Sequence, residues 1–348
     1  MSLTSNKGAI LEEVVLFLLK KLGYRNLTEN DEGARLGKAG LEIEGRGEWH
    51  QIDAAVSFDH TPPFVYPLRL LVEAKCYDLK RPIGIDVVRN SVGVLKDISE
   101  NYFSASTGTG GARYVKAPRF NYVSAVFSTS GYTDNAQRFA VAHQIFLIQY
   151  LNNPLFEPIA DGIREMAESD FKRGFLDGDL ATSRVRKYVR RKLENPHASI
   201  ATPYTQKGAR KFRRQVLQPL ETIEGSYFGM LQGRWPIHFL SRAPLHESVF
   251  SNQDVVLCRI YGKDSDRWSF VPLDGTPMDA DWFRLEFALP TEIARLVKET
   301  GGDRVQTANL KREHFSFVTL SGIIGGVRRQ VRLELDEPWI EDYIRRFG

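Results

Sequence analysis

The N-terminal part of the chain alternates between patterns typical of helices and of strands. Residues 8–24 place apolar side chains at intervals of three and four, with a stop at Gly23, which predicts an amphipathic helix. The glycine-rich segment 25–48 is expected to form a loop and an irregular hairpin. Residues 50–59 and 68–75 are short, apolar and alternating, which predicts two strands.

The pattern changes twice beyond this part. Residues 156–220 are predicted to be helical and basic, because cationic side chains surround a narrow apolar stripe. Residues 221–348 alternate aromatic and β-branched side chains between turns, which predicts strands, with one helix at 291–302 capped by Thr291. We therefore expect an α/β domain at 1–155, a basic helical linker region at 156–220, and a β-rich α+β domain of unknown role at 221–348.

Charge is distributed unevenly along the 348 residues. The net charge is +4, but residues 156–220 carry 14 Lys and Arg against 8 Asp and Glu. This excess favours a phosphate-rich partner, with a solvated charged helix as the alternative. Two cysteines, Cys76 and Cys258, exclude a disulfide framework and a four-cysteine zinc site, so a reducing, cytoplasmic location is expected.

The longest uncharged run, residues 139–156, approaches the length of a membrane span. It contains His143, Gln144 and Pro154 among its polar and helix-breaking residues, so a helix followed by a strand explains it better. The first apolar run is interrupted by Glu12 and Glu13, which does not resemble a signal segment. No membrane partner is expected.

The strand at 68–75 ends in the triplet Glu73-Ala74-Lys75, whose two charged residues are catalytic candidates. Glu73 and Lys75 share one face of this strand, and Asp53 lies on the neighbouring predicted strand. Two carboxylates on adjacent strands can share a hard cation such as Mg²⁺. A lysine beside them can orient a water molecule for attack. The pattern indicates a metal-assisted hydrolytic site, with an ordinary Glu73–Lys75 ion pair as the alternative.

Three other polar residues are candidates for the same site, and Gln51 and His50 are the weaker of them. Glu12 lies at the edge of the apolar stripe of the first helix, where it either reaches inward or only favours the helix dipole. Gln51 shares the strand face of Asp53, and His50 precedes it. For His50 the alternative is a histidine satisfied by a structural partner.

The order of Glu12 in a helix, Asp53 on a strand and Glu73-Ala-Lys75 on the next resembles the PD-(D/E)xK nuclease superfamily. Over about residues 5–155 the resemblance is closest to the catalytic domain of Mrr-type restriction endonucleases. Further matches are Gly23-Tyr24 eleven residues after Glu12, IGIDVVRNSVGVLKDI (83–98) as a helix, SAVFSTSGYTDNAQRFA (124–140) as a strand and helix, and IFLIQYL (145–151) as a strand. The resemblance implies a restriction-endonuclease-like α-β-α core with a mixed central sheet.

The chain departs from the family pattern in two places. Glu73 stands where the family often has Gln, a change that keeps an oxygen ligand. Residues 107–119 are longer than expected for a minimal domain and are predicted to be a DNA-facing loop or a surface excursion.

By resemblance, the protein would be a Mg²⁺- or Mn²⁺-dependent endonuclease that hydrolyses DNA phosphodiester bonds, of the restriction or defence type. Asp53 and Glu73 would bind the metal, helped by the Ala74 carbonyl. Lys75 would position the attacking water and stabilise charge on the phosphate. Glu12 would hold a second metal or its water.

Double-stranded DNA is the partner that the resemblance implies, and each Lys or Arg contact to it would release a counterion. For the basic segment, docking on the C-terminal region is the alternative. Ser128 and Thr129 are candidate phosphate contacts, with an ordinary turn as the alternative. The candidate contacts are Gln51, Ser128, Thr129, Arg184, Arg186, Lys187, Arg190, Arg191, Lys207, Arg210, Lys211, Arg213 and Arg214.

Other functions remain open at the level of sequence. One is a catalytically silent binding or structural protein with a nuclease fold; another is a repair or junction nuclease. A homodimer would favour double-strand cleavage. The C-terminal aromatic residues are expected to form a core rather than a base-reading pocket, namely Trp235, Phe239, Tyr261, Trp268, Phe270, Trp282 and Phe287.

Overall fold

The computed structural model describes residues 2–37, 40–59, 61, 64–106, 114–117, 119–175, 178–232, 235–245, 255–262, 268–273 and 284–348. The N-terminal elements are α1 (Ser2–Lys21), β1 (Arg25–Asn26), β2 (Ala34–Leu36), β3 (Leu41–Glu44), β4 (Trp49–Gln51), β5 (Ala54–Phe58), β6 (Leu68–Lys75), α2 (Ile85–Ser99), β7 (Phe103–Ser106), β8 (Tyr114–Ala117), β9 (Asn121–Ser128), α3 (Asp134–Ala142) and β10 (Phe146–Gln149).

A five-stranded sheet in the order β1-β5-β6-β9-β10 lies at the centre of this part. Strand β5 is antiparallel to β6, with Ala54 opposite Val72, whereas β6 is parallel to β9, with Lys75 opposite Ser128. Strand β10 is parallel to β9 as well. The expected α/β class and mixed sheet are confirmed, and the restriction-endonuclease-like identity of this core stays a prediction.

Hydrophobic clusters cover both faces of the sheet. Leu70 and Val72 belong to the cluster that contains the apolar stripe of α1. Leu71 packs with Ile98 of α2, and Val126 packs with α2 and α3. This alternation along β6 matches the prediction for residues 68–75.

Two details near the predicted site differ from expectation. Strand β5 is buried on both faces from Ala54 to Ser57, because it lies inside the sheet under two apolar layers. Asp53 lies in a bend just before β5, so it is not part of the strand. The segment 25–48 contains the strands β1, β2 and β3. Strands β2 and β3 form a small sheet with β4, in the order β2-β3-β4.

The predicted loop at 107–119 is only partly described. The C-terminal part of this segment contains strand β8, which pairs with β7. Residues 107–113 and 118 lie outside the described residues.

The basic segment contains the helices α4 (Glu157–Arg164), α5 (Gly178–Glu194), α6 (Gln206–Phe212) and α7 (Gln218–Glu221), with a π-helical turn at Arg213–Leu217. Helices α4 and α5 contact α1. Helix α5 packs along α1 and buries Val185, Tyr188 and Val189 in the same cluster as the apolar face of α1. The expected linker is therefore part of the core that supports the central sheet.

The C-terminal region forms a closed seven-stranded barrel in the order β11-β12-β15-β14-β13-β17-β16. Its elements are β11 (Gly225–Leu231), β12 (Trp235–Ser241), β13 (Val255–Tyr261), β14 (Trp268–Pro272), β15 (Leu285–Phe287), α8 (Thr291–Glu299), α9 (Arg304–His314), β16 (Phe317–Ile324), β17 (Val327–Leu335) and α10 (Glu337–Phe347). The prediction of a β-rich C-terminal region is confirmed.

The prediction of a single helix in the C-terminal region is wrong, because the described residues form three. Helices α9 and α10 accompany α8, and each begins at a capping aspartate, Asp303 and Asp336. The residue before α8 is Pro290, so Thr291 is its first residue and not its cap. Among the predicted core aromatics, Trp282 lies outside the described residues, Tyr261 is 43 % exposed and Trp235 is half-buried, whereas four are buried: Phe239, Trp268, Phe270 and Phe287.

A buried polar chain joins the sheet to the barrel. The Nδ1 atom of His238 in β12 lies 2.8 Å from Tyr150 Oη, and its Nε2 atom lies 2.8 Å from Ser226 Oγ in β11. Ser226 Oγ donates to the Leu18 carbonyl oxygen of α1, at 3.2 Å. Since that hydroxyl hydrogen is used, His238 donates from Nε2 to Ser226 and accepts at Nδ1 from Tyr150.

The uncharged run at 139–156 forms the end of α3 and strand β10, as expected. Within the described part of the chain, no helix has both the length and the apolar character needed to cross a membrane.

Candidate active site

One cleft of about 300 Å³ gathers most of the residues predicted for catalysis. It lies among α1, the bend before β5, the end of β6, and α5. The predicted residues on its wall are Glu12, Gln51, Asp53, Ala74, Lys75 and Arg186. Four segments that are distant in sequence therefore meet at one place.

Lys75 is the centre of a charged group at the end of β6. Its Nζ atom lies 3.3 Å from Asp53 Oδ2 and forms an ion pair with Glu73. The main-chain N–H of Ala74 also donates to Asp53 Oδ2, at 3.4 Å. Strand alternation places Glu73 and Lys75 on one side, and the bend before β5 brings Asp53 to them.

The protonation of this group follows from burial and from the neighbouring charges. Burial alone would lower the pKa of Lys75, but Asp53 and Glu73 outweigh it and raise that pKa above its usual range. Burial and the Asp53 carboxylate raise the pKa of Glu73. Lys75 is accordingly a cation in this arrangement, suited to stabilising negative charge.

Glu12 is held by a residue from the basic segment. Arg186 of α5 donates from Nε to Glu12 Oε2, at 3.1 Å, and makes a second bond from its terminal nitrogen. Burial and the Asp53 carboxylate raise the pKa of Glu12 to about 8, although Arg186 acts in the opposite direction. Arg186 also lines the cleft, so the site contains two cations and three carboxyl groups when Glu73 is included.

A second ion pair lies beside the first but outside the cleft wall. Arg190 donates two hydrogen bonds to Glu13, at 2.8 and 2.7 Å. The Glu13 side chain is only 1 % exposed. The two pairs together fasten α5 to α1.

Two carboxyl side chains of the site offer the kind of donor atom that a hard divalent cation prefers. Asp53 and Glu73 offer carboxylate oxygens that already converge on one ammonium group, and oxygen ligands are what Mg²⁺ prefers. Glu12 is engaged by Arg186. Across the described residues, no three His, Cys, Asp or Glu side chains are arranged as a group that could hold a metal ion.

Of the ten Lys and Arg residues predicted to contact DNA, three are engaged in ion pairs. Arg186 and Arg190 bind Glu12 and Glu13, and Lys211 Nζ lies 3.5 Å from the buried Asp170. The other seven are exposed, namely Arg184, Lys187, Arg191, Lys207, Arg210, Arg213 and Arg214.

Three polar candidates have structural partners. Ser128 and Thr129 are fully buried, and their hydroxyls donate to the Gly131 and Tyr77 carbonyls, so the turn interpretation describes them and a phosphate contact does not. His50 Nε2 lies 2.7 Å from Asp97 Oδ2, which matches the alternative for this residue.

Arg186 was expected to contact DNA, and its position in the cleft was missed. The sequence does contain a signal for an ion pair between two helices. Arg186 and Arg190, four residues apart, lie beside the apolar stripe of one helix. Glu12 and Glu13 lie beside the apolar stripe of another. That signal does not say which two helices pack together. Only the packing of α5 on α1 brings Arg186 to the predicted site.

Comparison with known protein families gave no match, and comparison with curated proteins gave none either. Among solved structures, the chain is similar to one titled "Crystal Structure of Protein of Unknown Function AF1548". The identity is 12 %, the TM-score is 0.29, and the match covers 53 % of this chain and 98 % of that one. A likeness at this level carries neither fold nor function to the chain.

Proposed function

We propose that this protein is a metal-dependent endonuclease that hydrolyses phosphodiester bonds of double-stranded DNA. The observation that carries the proposal is the meeting of Glu12, Asp53 and Lys75 in one cleft, with Glu73 bound to Lys75. Such a group of buried charges is costly to maintain, which favours a catalytic use over a purely structural one.

Asp53 and Glu73 would hold Mg²⁺ or Mn²⁺, with the Ala74 carbonyl as a further ligand and Glu12 toward a second ion. When bound, the ion would supply Lewis-acid stabilisation of the phosphate and a more acidic water molecule. Lys75 orients the attacking water and stabilises negative charge that develops on the phosphate. Arg186, on the same wall, is placed to pair with a phosphate oxygen when it is not bound to Glu12.

The exposed cations of α5 and α6 support a nucleic-acid substrate. Arg184, Lys187 and Arg191 project from the helix whose opposite side packs on α1. Contacts of this kind to phosphates make the affinity fall steeply as salt is raised. A restriction or defence role is the form that we favour.

The test is cleavage of methylated and unmethylated plasmid with Mg²⁺, with Mn²⁺ and with chelator. The variants are Asp53→Asn and Lys75→Met. Asp78→Asn and Lys80→Met are matched controls, because they change the same acidic-x-Lys pattern at an exposed position near the site. Circular dichroism and the unfolding midpoint of each variant establish that it is folded.

We expect metal-dependent cleavage that falls about 100-fold or more in Asp53→Asn and Lys75→Met and is unchanged in both controls. Cleavage in the presence of chelator, or full activity of the two site variants, would refute the proposal. No cleavage by the wild type, with retained DNA binding, would favour a catalytically silent nucleic-acid-binding protein, in which Arg186 permanently neutralises Glu12.

A further inference from the structure

A second cavity with charged walls lies in the C-terminal region, where the proposed nuclease function does not use it. Its volume is about 430 Å³, and it lies between the end of β13, helix α9 and helix α10. We call it the C-terminal pocket, and its functional side chains are Tyr261, Arg304, Lys311, Trp339 and Tyr343. The other two described cavities at the junction of sheet and barrel have no charged side chain on their walls.

Three aromatic rings form one wall of the C-terminal pocket. The centroid of the Trp339 ring lies 6.0 Å from that of Tyr261 and 6.2 Å from that of Tyr343. Tyr261 is 43 % exposed, and the other two rings are half-buried. All three rings line the cavity and are partly exposed, and the Arg259 guanidinium lies over the Trp339 ring, 5.9 Å from its centroid. Partly exposed aromatic rings are a surface on which a planar ligand stacks.

Two cations on one face of α9 accompany these rings. Lys311 is half-buried, and its Nζ atom donates to the Ile260 carbonyl oxygen at 3.0 Å. Arg304, seven residues earlier and exposed, lies two turns or about 10 Å away along the helix. No acidic residue lies on the wall of the pocket, within the ranges that the structure describes.

The ammonium group of Lys311 has no carboxylate within ion-pairing distance among the described residues. It lies 5.2 Å from the centroid of the buried Trp268 ring, which offers partial compensation. Burial lowers the pKa of Lys311 to about 8. A positive charge in this environment favours binding of an anion, because an anion supplies the missing counter-charge.

We propose that the C-terminal pocket binds a nucleotide, with the base against Trp339 and Tyr261 and the first phosphate at Lys311. Arg304 reaches further phosphates at the rim of the pocket. The ligand is recognised by a flat aromatic base joined to phosphate, a chemistry that both a free nucleotide and a nucleotide unit of a single strand provide. The proposal does not depend on the nuclease activity of the cleft.

The experiment is calorimetric titration of the full chain with deoxyadenosine, dAMP, dATP, inorganic phosphate and a short single-stranded oligonucleotide. The variants are Trp339→Leu, which keeps apolar bulk, Lys311→Met, which keeps the length of the side chain, and Arg304→Gln, which removes the charge at the rim. Tyr261→Leu is a second aromatic variant at the exposed edge of the barrel. Lys298→Met removes an exposed cation from the adjoining α8 and serves as the control.

We expect dATP to bind more tightly than dAMP, and dAMP more tightly than deoxyadenosine or phosphate alone. Trp339→Leu and Tyr261→Leu weaken nucleotide binding about tenfold. Lys311→Met weakens both dAMP and dATP, Arg304→Gln weakens dATP alone, and the control binds as the wild type does. If the oligonucleotide competes with dATP, the ligand of the pocket is a nucleotide unit of a single-stranded nucleic acid. If the oligonucleotide does not compete, the ligand is a free nucleotide.

Three results would overturn the proposal. They are the absence of saturable nucleotide binding at millimolar concentration, inorganic phosphate that binds as tightly as dATP, and affinity that is unchanged in folded Trp339→Leu and Tyr261→Leu. The last result would mean that the rings only pack α10 against the end of β13.

Discussion

Acid should weaken the junction between sheet and barrel through one histidine. His238 is buried between Tyr150 and Ser226 and is stacked on Phe228, with ring centroids 4.5 Å apart. Burial lowers the pKa of His238 from 6.5 to about 3, so its ring stays neutral in the folded chain. In the unfolded chain the ring takes up a proton near its ordinary pKa.

The magnitude follows from this difference in proton binding. Between the two pKa values the unfolded chain binds one more proton at this residue, so stability falls as the pH falls below 6.5. Each pH unit in that window costs about 1.4 kcal/mol, and the loss between about pH 7 and pH 5 is therefore about 2 kcal/mol. The loss is complete near the folded pKa.

The assay is urea unfolding at several pH values for the wild type and for His238→Gln. The variant is less stable at neutral pH because the ring packing is lost. Between about pH 7 and pH 5, the variant should nevertheless lose about 2 kcal/mol less of its free energy of unfolding than the wild type loses. His197→Gln, at an exposed position after α5, is the control and should follow the wild type. Equal pH dependence in the wild type and in His238→Gln would show that this histidine does not couple acid to unfolding.

Two further predictions concern packing. Arg190→Met should lower the free energy of unfolding by about 2 kcal/mol, measured in urea, because it leaves the buried Glu13 without its two hydrogen bonds; an unchanged midpoint would contradict this. Gly208→Ala should destabilise the chain by about 2 kcal/mol, because a Cβ at Gly208 would overlap the main chain of Asp170, whereas Gly93→Ala in the exposed part of α2 should stabilise it by up to about 1 kcal/mol. Equal effects of these two alanine substitutions on the melting temperature would refute the second prediction.

The candidate site was predictable from the sequence up to a definite limit. The apolar alternation of β6 predicts that Glu73 and Lys75 share a face, and the structure places both at one end of that strand. The position of Asp53 beside them depends on the pairing of β5 with β6, which the sequence pattern only suggests. The position of Arg186 in the cleft could not be predicted, because residues 12 and 186 meet through tertiary packing alone.

Local patterns determined the elements that bury a stripe or a face of their own. The helix of α1, the strand of β6 and the β-rich character of residues 221–348 follow from periodicity, since each periodicity matches one backbone geometry. The tertiary structure alone decided that α5 packs on α1, that the strands close into a barrel, and that Ser128 and Thr129 are buried. The physical reason is that the burial of apolar surface is not directional, so a pattern shows which face must be covered and leaves open what covers it.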